Sequence, residues 1–349
     1  MKKNLLLTLL AILIIWNVIL TSSFVSFRNE KKKEGEFVVN NYNVSGFSTD
    51  LTRVVEDVKS SVVTIDSNGI SSGFVYKQEN NIAYIITTYH GVSEDRIHYV
   101  IFDSMYRKEA NLIAYDIYCD LAILEVEMPY DINVVRIGDS NLLKDGEFLL
   151  SIGTPTSLDY KGSVELGLVS SNLRFIDNEI IYEENEESFY SAMIQMSDTF
   201  KAGNSGSPLF NMLGEVEAMC VMEDESGIDF ALPINEIVIV ADKLIKNEEY
   251  NRINFGIKCS YISNMLNYEK NNNNIPIDIT EGIYVNRVKE NSLANKLGIR
   301  NGDILISVNG EICNNHNDYL NIIYNNEEIN NIEIIRNGEI IPLERTIND

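Results

Sequence analysis

Between Val62 and Ala231 the chain is cut into short β-type runs, each closed by turn residues. The first set is Val62–Asp66, Gly73–Tyr76, Ala83–Thr87, His98–Phe102, Leu112–Ala114 and Leu121–Val126. The second set is Phe148–Ile152, Val164–Ser171, Ile180–Tyr182, Ala192–Met196, Pro208–Phe210, Glu215–Met222 and Ile228–Ala231. Many short strands with turn signals between them predict a barrel or a sandwich. Helical spacing occurs on either side of these sets. Val54, Val55 and Val58 share one face of a predicted helix near Leu51–Lys59, with Ser48-Thr49-Asp50 as its N-cap. Ile234–Ile245 reads as a closing helix.

Within the second set stands Gly203-Asn204-Ser205-Gly206-Ser207-Pro208, just before apolar Leu209-Phe210. Flanking glycines permit a tight turn that a residue with a Cβ disfavours. Such a turn pushes a serine hydroxyl outward and can aim consecutive backbone N–H groups at one point. A hydroxyl needs a base and an orienting acid to become a nucleophile. Only three histidines exist: His90, His98 and His316. His90 ends a β-rich run at a turn, whereas His98 lies in a polar stretch and His316 in an Asn-rich loop. Asp120 opens the apolar run Leu121–Val126, where a carboxylate is costly unless paired. The order His90, Asp120, Ser205 has spacings of 30 (120 − 90) and 85 (205 − 120).

These residues, with Ser72-Gly73-Phe74, Ile137-Gly138-Asp139-Ser140, Ser151-Ile152-Gly153-Thr154-Pro155 and Phe230-Ala231-Leu232-Pro233, resemble the HtrA/Deg family of membrane-anchored serine proteases with a C-terminal PDZ domain. The resemblance runs from about Leu51 to the C-terminus. It implies a mostly β fold: a double β-barrel, chymotrypsin-like protease domain, then a small α/β PDZ domain. It implies a catalytic triad of His90, Asp120 and Ser205, with the N–H groups of Gly203 and Ser205 as oxyanion hole. No metal or organic cofactor is implied. Cys220, Val221 and the Thr199–Ala202 loop would line the substrate pocket, and small or medium aliphatic side chains would fill it. The chain departs from the family pattern at Lys201-Ala202, Ser207, Thr88 and Gly91. None of these removes a triad member, but Lys201 and Ala202 bear on the resting shape of the oxyanion turn.

A length of 349 residues allows two or three domains. The net charge of −24 argues against nucleic acid, which needs clustered Lys and Arg. Residues 4–27 carry no charged side chain and would reach roughly 36 Å as a helix, so a single N-terminal transmembrane helix is expected, with a cleaved signal peptide as the rival. Basic residues flank both ends, and only the resemblance puts the catalytic part outside the membrane. Cys119, Cys220, Cys259 and Cys313 show no metal spacing. The first two read as small buried hydrophobes, with a disulfide left open.

Arg252–Ile257, Gly282–Val285, Ser292–Leu297 and Gly298–Leu305 resemble a PDZ module, with Phe255, Gly256 and Ile257 as the loop that takes a peptide's C-terminal carboxylate. The expected organisation is anchor 1–27, linker 28–48, protease domain 49–248 and PDZ domain 249–349. The acidic stretch Phe175–Ser188 reads as a solvated loop, or as the loop through which the PDZ domain is sensed. The resemblance implies a homotrimer rather than a large cage, because Lys77–Ile82 is short where cage-forming family members carry a long insertion. The activity expected is cleavage of unfolded or damaged proteins at the outer face of the membrane, in quality control. The rival is a catalytically silent PDZ scaffold or chaperone that keeps the protease fold.

Overall fold

The computed structural model describes residues 44–92, 94–182, 185–197, 201–223, 227–248 and 252–345. The chain divides into two units, Met1–Thr52 and Arg53–Asp349, and the three sheets described below lie in the second. The expected anchor, residues 4–27, and most of the linker lie outside the described residues. Among the described residues no helix is long and apolar enough to cross a membrane.

Helix α1 spans Val44–Val58, starting ahead of the predicted Leu51. Six strands follow: β1 (Val62–Ser67), β2 (Gly69–Glu79), β3 (Ile82–Thr88), β4 (His98–Ile101), β5 (Arg107–Asp116) and β6 (Leu121–Glu127). They close into a barrel in the order β1-β2-β3-β6-β5-β4. The β2–β3 hairpin turns on Asn80 and Asn81, both at positive φ, as a two-residue turn between right-twisted strands requires. Alternate side chains point inward, so Val63, Ile65, Val75, Ile85, Val100 and Leu124 share one core. Each contributes about 1.5–3 kcal/mol by leaving water, and Leu124→Ala costs about 2–5 kcal/mol by leaving a cavity.

The second sheet is built from β7 (Arg136–Ile137), β8 (Phe148–Gly153), β9 (Ser163–Tyr182), β10 (Asn185–Met196), β11 (Pro208–Phe210), β12 (Glu215–Glu223) and β13 (Asp229–Pro233). Its order is β11-β8-β9-β10-β13-β12-β7, and β11 also pairs with β12, so the sheet closes on itself. Phe175–Ser188, expected as an acidic loop around the one β-type run Ile180–Tyr182, is more regular than that. Continuous pairing from Asn185↔Tyr182 to Ala192↔Phe175 makes it the outer part of one long β9–β10 hairpin. The physical reason is local: Phe175, Ile176, Ile180, Ile181 and Tyr182 are strong β-formers, and a two-stranded ribbon tolerates interspersed carboxylates. Helix α2 (Ile234–Ile245) follows with Ile234, Ile237, Val240 and Ala241 buried.

The last sheet holds β14 (Ile257–Tyr261), β15 (Ile283–Val288), β16 (Ile304–Val308), β17 (Glu311–Ile312), β18 (Asn331–Arg336) and β19 (Glu339–Glu344). It runs β14-β15-β16-β18-β19, with β17 on β16. Helices α3 (Asn267–Asn272), α4 (Leu293–Lys296) and α5 (His316–Asn325) complete it. Arg252 ties this sheet to the second barrel. Its Nε donates to the Tyr324 hydroxyl at 3.2 Å, and its guanidinium lies 5.0 Å from the Phe189 ring and 5.1 Å from the Tyr118 ring. Tyr324 in turn donates to Glu236 Oε1 at 2.6 Å, where burial raises the Glu236 carboxyl against the lowering effect of Arg252.

Candidate active site

His90 sits one turn past β3, and Asp120 stands at the entry to β6, the strand paired with β3. That pairing puts the two side by side. His90 Nδ1 lies 2.5 Å from Asp120 Oδ2, and the His90 backbone N–H donates to Oδ1 at 2.9 Å. The Tyr89 N–H donates to the Asp120 carbonyl at 3.0 Å, which locks the turn to the strand. Asp120 holds φ 53, a left-handed conformation rare outside glycine. The Asp116 carboxylate supports that bend by accepting the Tyr118 and Cys119 N–H groups. The hydrogen bond to Asp120 raises the His90 pKa; desolvation opposes this and the Asp120 charge adds to it. The ring itself is half exposed, as a base that must reach substrate requires.

Ser205 lies in a turn that only glycine can flank. Gly203 has φ +96, and a Cβ there would come 2.3 Å from the Thr154 carbonyl oxygen. Gly206 has φ +85, and a Cβ there would come 2.1 Å from the Ser72 carbonyl oxygen. Neighbouring groups fix the turn: Gly206 N–H donates to Cys220 O at 2.8 Å and Ser207 N–H to Asn204 O at 2.8 Å. The N–H groups of Gly203 and Ser205 have no acceptor among the described residues. Two such donors on one turn are what an oxyanion would take up. No hydrogen bond joins His90 to Ser205 among the described contacts, although Thr87, at the end of the His90 strand, lies against Gly206. Resting sites often leave that bond open.

Ser72 was quoted from the sequence without a role, and it is the clasp between the barrels. From β2 its N–H donates to Ser205 O at 2.9 Å, and its hydroxyl donates to Gly203 O at 2.8 Å. The same hydroxyl accepts the Thr154 N–H at 2.9 Å. Glu165 was missed altogether. Its carboxylate accepts Asn204 Nδ2 at 2.7 Å and pairs with Lys201 Nζ at 3.1 Å. Thr156 N–H donates to Ala202 O at 2.6 Å. The departures at Lys201-Ala202 are therefore tethered from β9 and from the segment after β8. Of the expected pocket-lining residues, Cys220 and Val221 are buried beside this turn, Lys201 and Ala202 are exposed, and Thr199 lies outside the described residues. All four cysteines are free and buried.

Phe255 and Gly256 lead into the edge strand β14, which begins at Ile257. Gly256 has φ +80, and a Cβ there would strike Ser292. The Phe255 N–H is already taken by Ile253 O at 2.9 Å, so it is not one of the free donors in this state. The β9–β10 hairpin reaches this sheet. Phe175 meets Tyr319 of α5 edge-on at 5.8 Å, Lys289 pairs with Asp177 at 2.7 Å, and Asn254 donates to Ser188 O at 3.1 Å.

Comparison with known proteins finds the same two kinds of domain. Residues 71–219 match a trypsin-like peptidase domain, and residues 284–336 match a PDZ domain. A serine protease HtrA-like protein of Staphylococcus epidermidis is 28% identical over 314 residues, 83% of this chain and 54% of that protein. The serine protease Do-like HtrB of Bacillus subtilis is 29% identical over 285 residues, 79% of this chain and 61% of that protein. The chain thus spans little more than half the length of these relatives. The serine endoprotease of Yersinia pestis shares the fold at TM-score 0.51 and 23% identity, covering 84% of this chain and 96% of that one. The HtrA-type protease AlgW with a decapeptide does so at TM-score 0.52 and 18% identity, with the same coverage of 84% and 96%. With the peptidase match and the PDZ match in this order, and with HtrA-named relatives spanning both, the chain is similar to HtrA-type serine proteases along both domains.

Proposed function

We propose that this chain is a serine endopeptidase working through His90, Asp120 and Ser205. The observations that carry this are the His90–Asp120 pair and a glycine-flanked Ser205 with two open backbone donors, with Thr87, three residues before His90, lying against Gly206. In the reaction, His90 takes the Ser205 proton as the hydroxyl attacks a peptide carbonyl, then returns it to the leaving amine. Asp120 fixes the His90 tautomer and stabilises the imidazolium. The Gly203 and Ser205 N–H groups take the oxyanion without reorganising. Casein digestion by the full-length chain, beside Ser205→Ala, tests this. Loss on the order of 10⁶ in turnover is expected of the variant. Equal digestion by both, with contaminating protease excluded, contradicts it.

The substrates proposed are unfolded or damaged polypeptides, met at the outer face of a membrane by a chain anchored through residues 4–27 and assembled as a trimer. The PDZ-type sheet would take a free C-terminus as an added strand on β14. What supports control of the protease by that event is the β9–β10 hairpin, which touches Tyr319, Lys289 and Asn254 at one end and carries Glu165, the tether of the serine turn, on β9. A peptide ending in an apolar residue then raises kcat/KM, and its amidated copy does not. A silent scaffold binds the peptide and cleaves nothing.

A further inference from the structure

A protease of this kind admits one substrate side chain beside the attacked carbonyl, and the mouth of the second barrel decides which. Strand β11 begins at Pro208, opposite Met219 of β12. The last bonds between β12 and the serine turn are Cys220 N–H to Ser207 O and Gly206 N–H to Cys220 O. From Val221 onward this edge of β12 pairs with nothing among the described residues. An extended chain can add there as a strand and bring its carbonyl to Ser205.

Behind that edge runs the inward-facing column of the barrel. Cys220 of β12, Ala231 of β13 and Met196 of β10 all belong to its apolar core. Side chains alternate along a strand, so Asp229, two residues before Ala231, faces the same interior. Its register partners are Met196 on one side and Glu223 on the other. Ala231 pairs with Cys220, so Asp229 lies one rung further on, level with the open edge. It is only 2% exposed. Its field reaches Cys220: burial first, and then the Asp229 and Glu165 carboxylates, push the Cys220 thiol up against the lowering bond from Ser151.

We propose that Asp229 is the specificity-determining carboxylate of the substrate pocket, and that the chain cuts after lysine and arginine; this rests on the protease reading given above. A cation brought to a carboxylate inside an apolar wall forms a charge-assisted hydrogen bond, and the methylene stem of Lys or Arg suits the flanking Met196 and Cys220. An aliphatic side chain brings nothing to that charge. Asp229 is already engaged in the resting chain, so an arriving cation joins or replaces that contact. The net charge of −24 favours encounter with basic segments in the same sense. The resemblance alone implied aliphatic residues, and the buried acid sets this chain apart from that expectation.

Two measurements on the full-length chain test the pocket. The first is kcat/KM on peptides identical except for Lys, Arg, Val or Leu before the cleaved bond. Lys and Arg are expected to exceed Val and Leu by at least about tenfold, and Asp229→Asn to lower the Lys-to-Val ratio by about 100-fold, the scale of losing a buried charge partner. The second is benzamidine binding by calorimetry in a Ser205→Ala background, expected to weaken at least about tenfold on adding Asp229→Asn. Preference for Val or Leu overturns the proposal, as does a ratio or a benzamidine affinity that Asp229→Asn leaves unmoved. Asp229-dependent benzamidine binding without any cleavage supports the pocket and removes the protease reading.

Discussion

His90 and Asp120 are joined twice: Nδ1 stands 2.5 Å from Oδ2, and the His90 backbone N–H donates to Oδ1 at 2.9 Å. The first bond sets the ring's tautomer and the second sets where the ring hangs. Because the bond to Asp120 outweighs desolvation, the His90 pKa lies above its ordinary 6.5. A base works only when neutral. Activity therefore rises with pH through an apparent pKa above 6.5, and is lost as pH falls below it. Asp120→Asn is expected to shift that limb downward and to lower kcat by about 10⁴-fold. A pH profile of kcat/KM for both forms checks this, and an unshifted limb speaks against the assignment.

Gly203→Ala is expected to leave the barrels folded while spoiling the oxyanion turn. A Cβ at φ +96 would press on the Thr154 carbonyl, so the 203 peptide must turn away. Loss of one oxyanion donor costs about 10²–10³-fold in kcat. Circular dichroism like that of the parent, with turnover down by this factor, is the expected pair of results.

Arg252→Leu removes the cation from a buried cluster and leaves Glu236 and the Tyr324 hydroxyl to each other. Stranding a buried carboxylate costs about 3–5 kcal/mol. Adding Glu236→Gln should recover part of that loss, since the charge left without its partner is then gone. Urea midpoints of the parent, the single variant and the double variant decide it. A single variant with the parent's midpoint removes Arg252 from the list of groups that hold the C-terminal sheet to the protease-like barrels.

His316 is buried against Tyr261, whose hydroxyl lies 2.8 Å from Nδ1, and it stacks near Tyr319. Burial lowers its pKa from 6.5 to about 4. The unfolded chain then binds a proton at His316 that the folded chain refuses. Stability from this group is present above pH 6.5 and is lost as pH falls from 6.5 towards 4. The loss is about 3 kcal/mol in all. Replacing His316 by Phe should flatten this part of the stability–pH curve, measured by urea unfolding at several pH values.

Much of this was legible in the sequence because it rests on local chemistry. Flanking glycines announced the Ser205 turn, and the scarcity of histidine singled out His90 as the proposed base. Strand pairing of β3 with β6 then placed Asp120 where the spacing could only suggest it. Ser72 and Glu165 were not legible as site residues, since their part depends on which barrel edge faces the serine turn. Of the Phe175–Ser188 ribbon only Ile180–Tyr182 was legible as strand, because the carboxylates around it mask the rest of the β-forming pattern. Arg252 was legible only as the first residue of the PDZ-like stretch: its half-buried place against Tyr324, Phe189 and Tyr118 comes from elements that meet only in the folded chain.

The most direct measurement is covalent labelling of the resting full-length chain with a fluorophosphonate, followed by mass spectrometry of the labelled peptide. The account predicts a single adduct on Ser205, lost in Ser205→Ala and strongly slowed in His90→Ala. No adduct, or an adduct formed equally fast without His90, would contradict a serine activated by the His90–Asp120 pair.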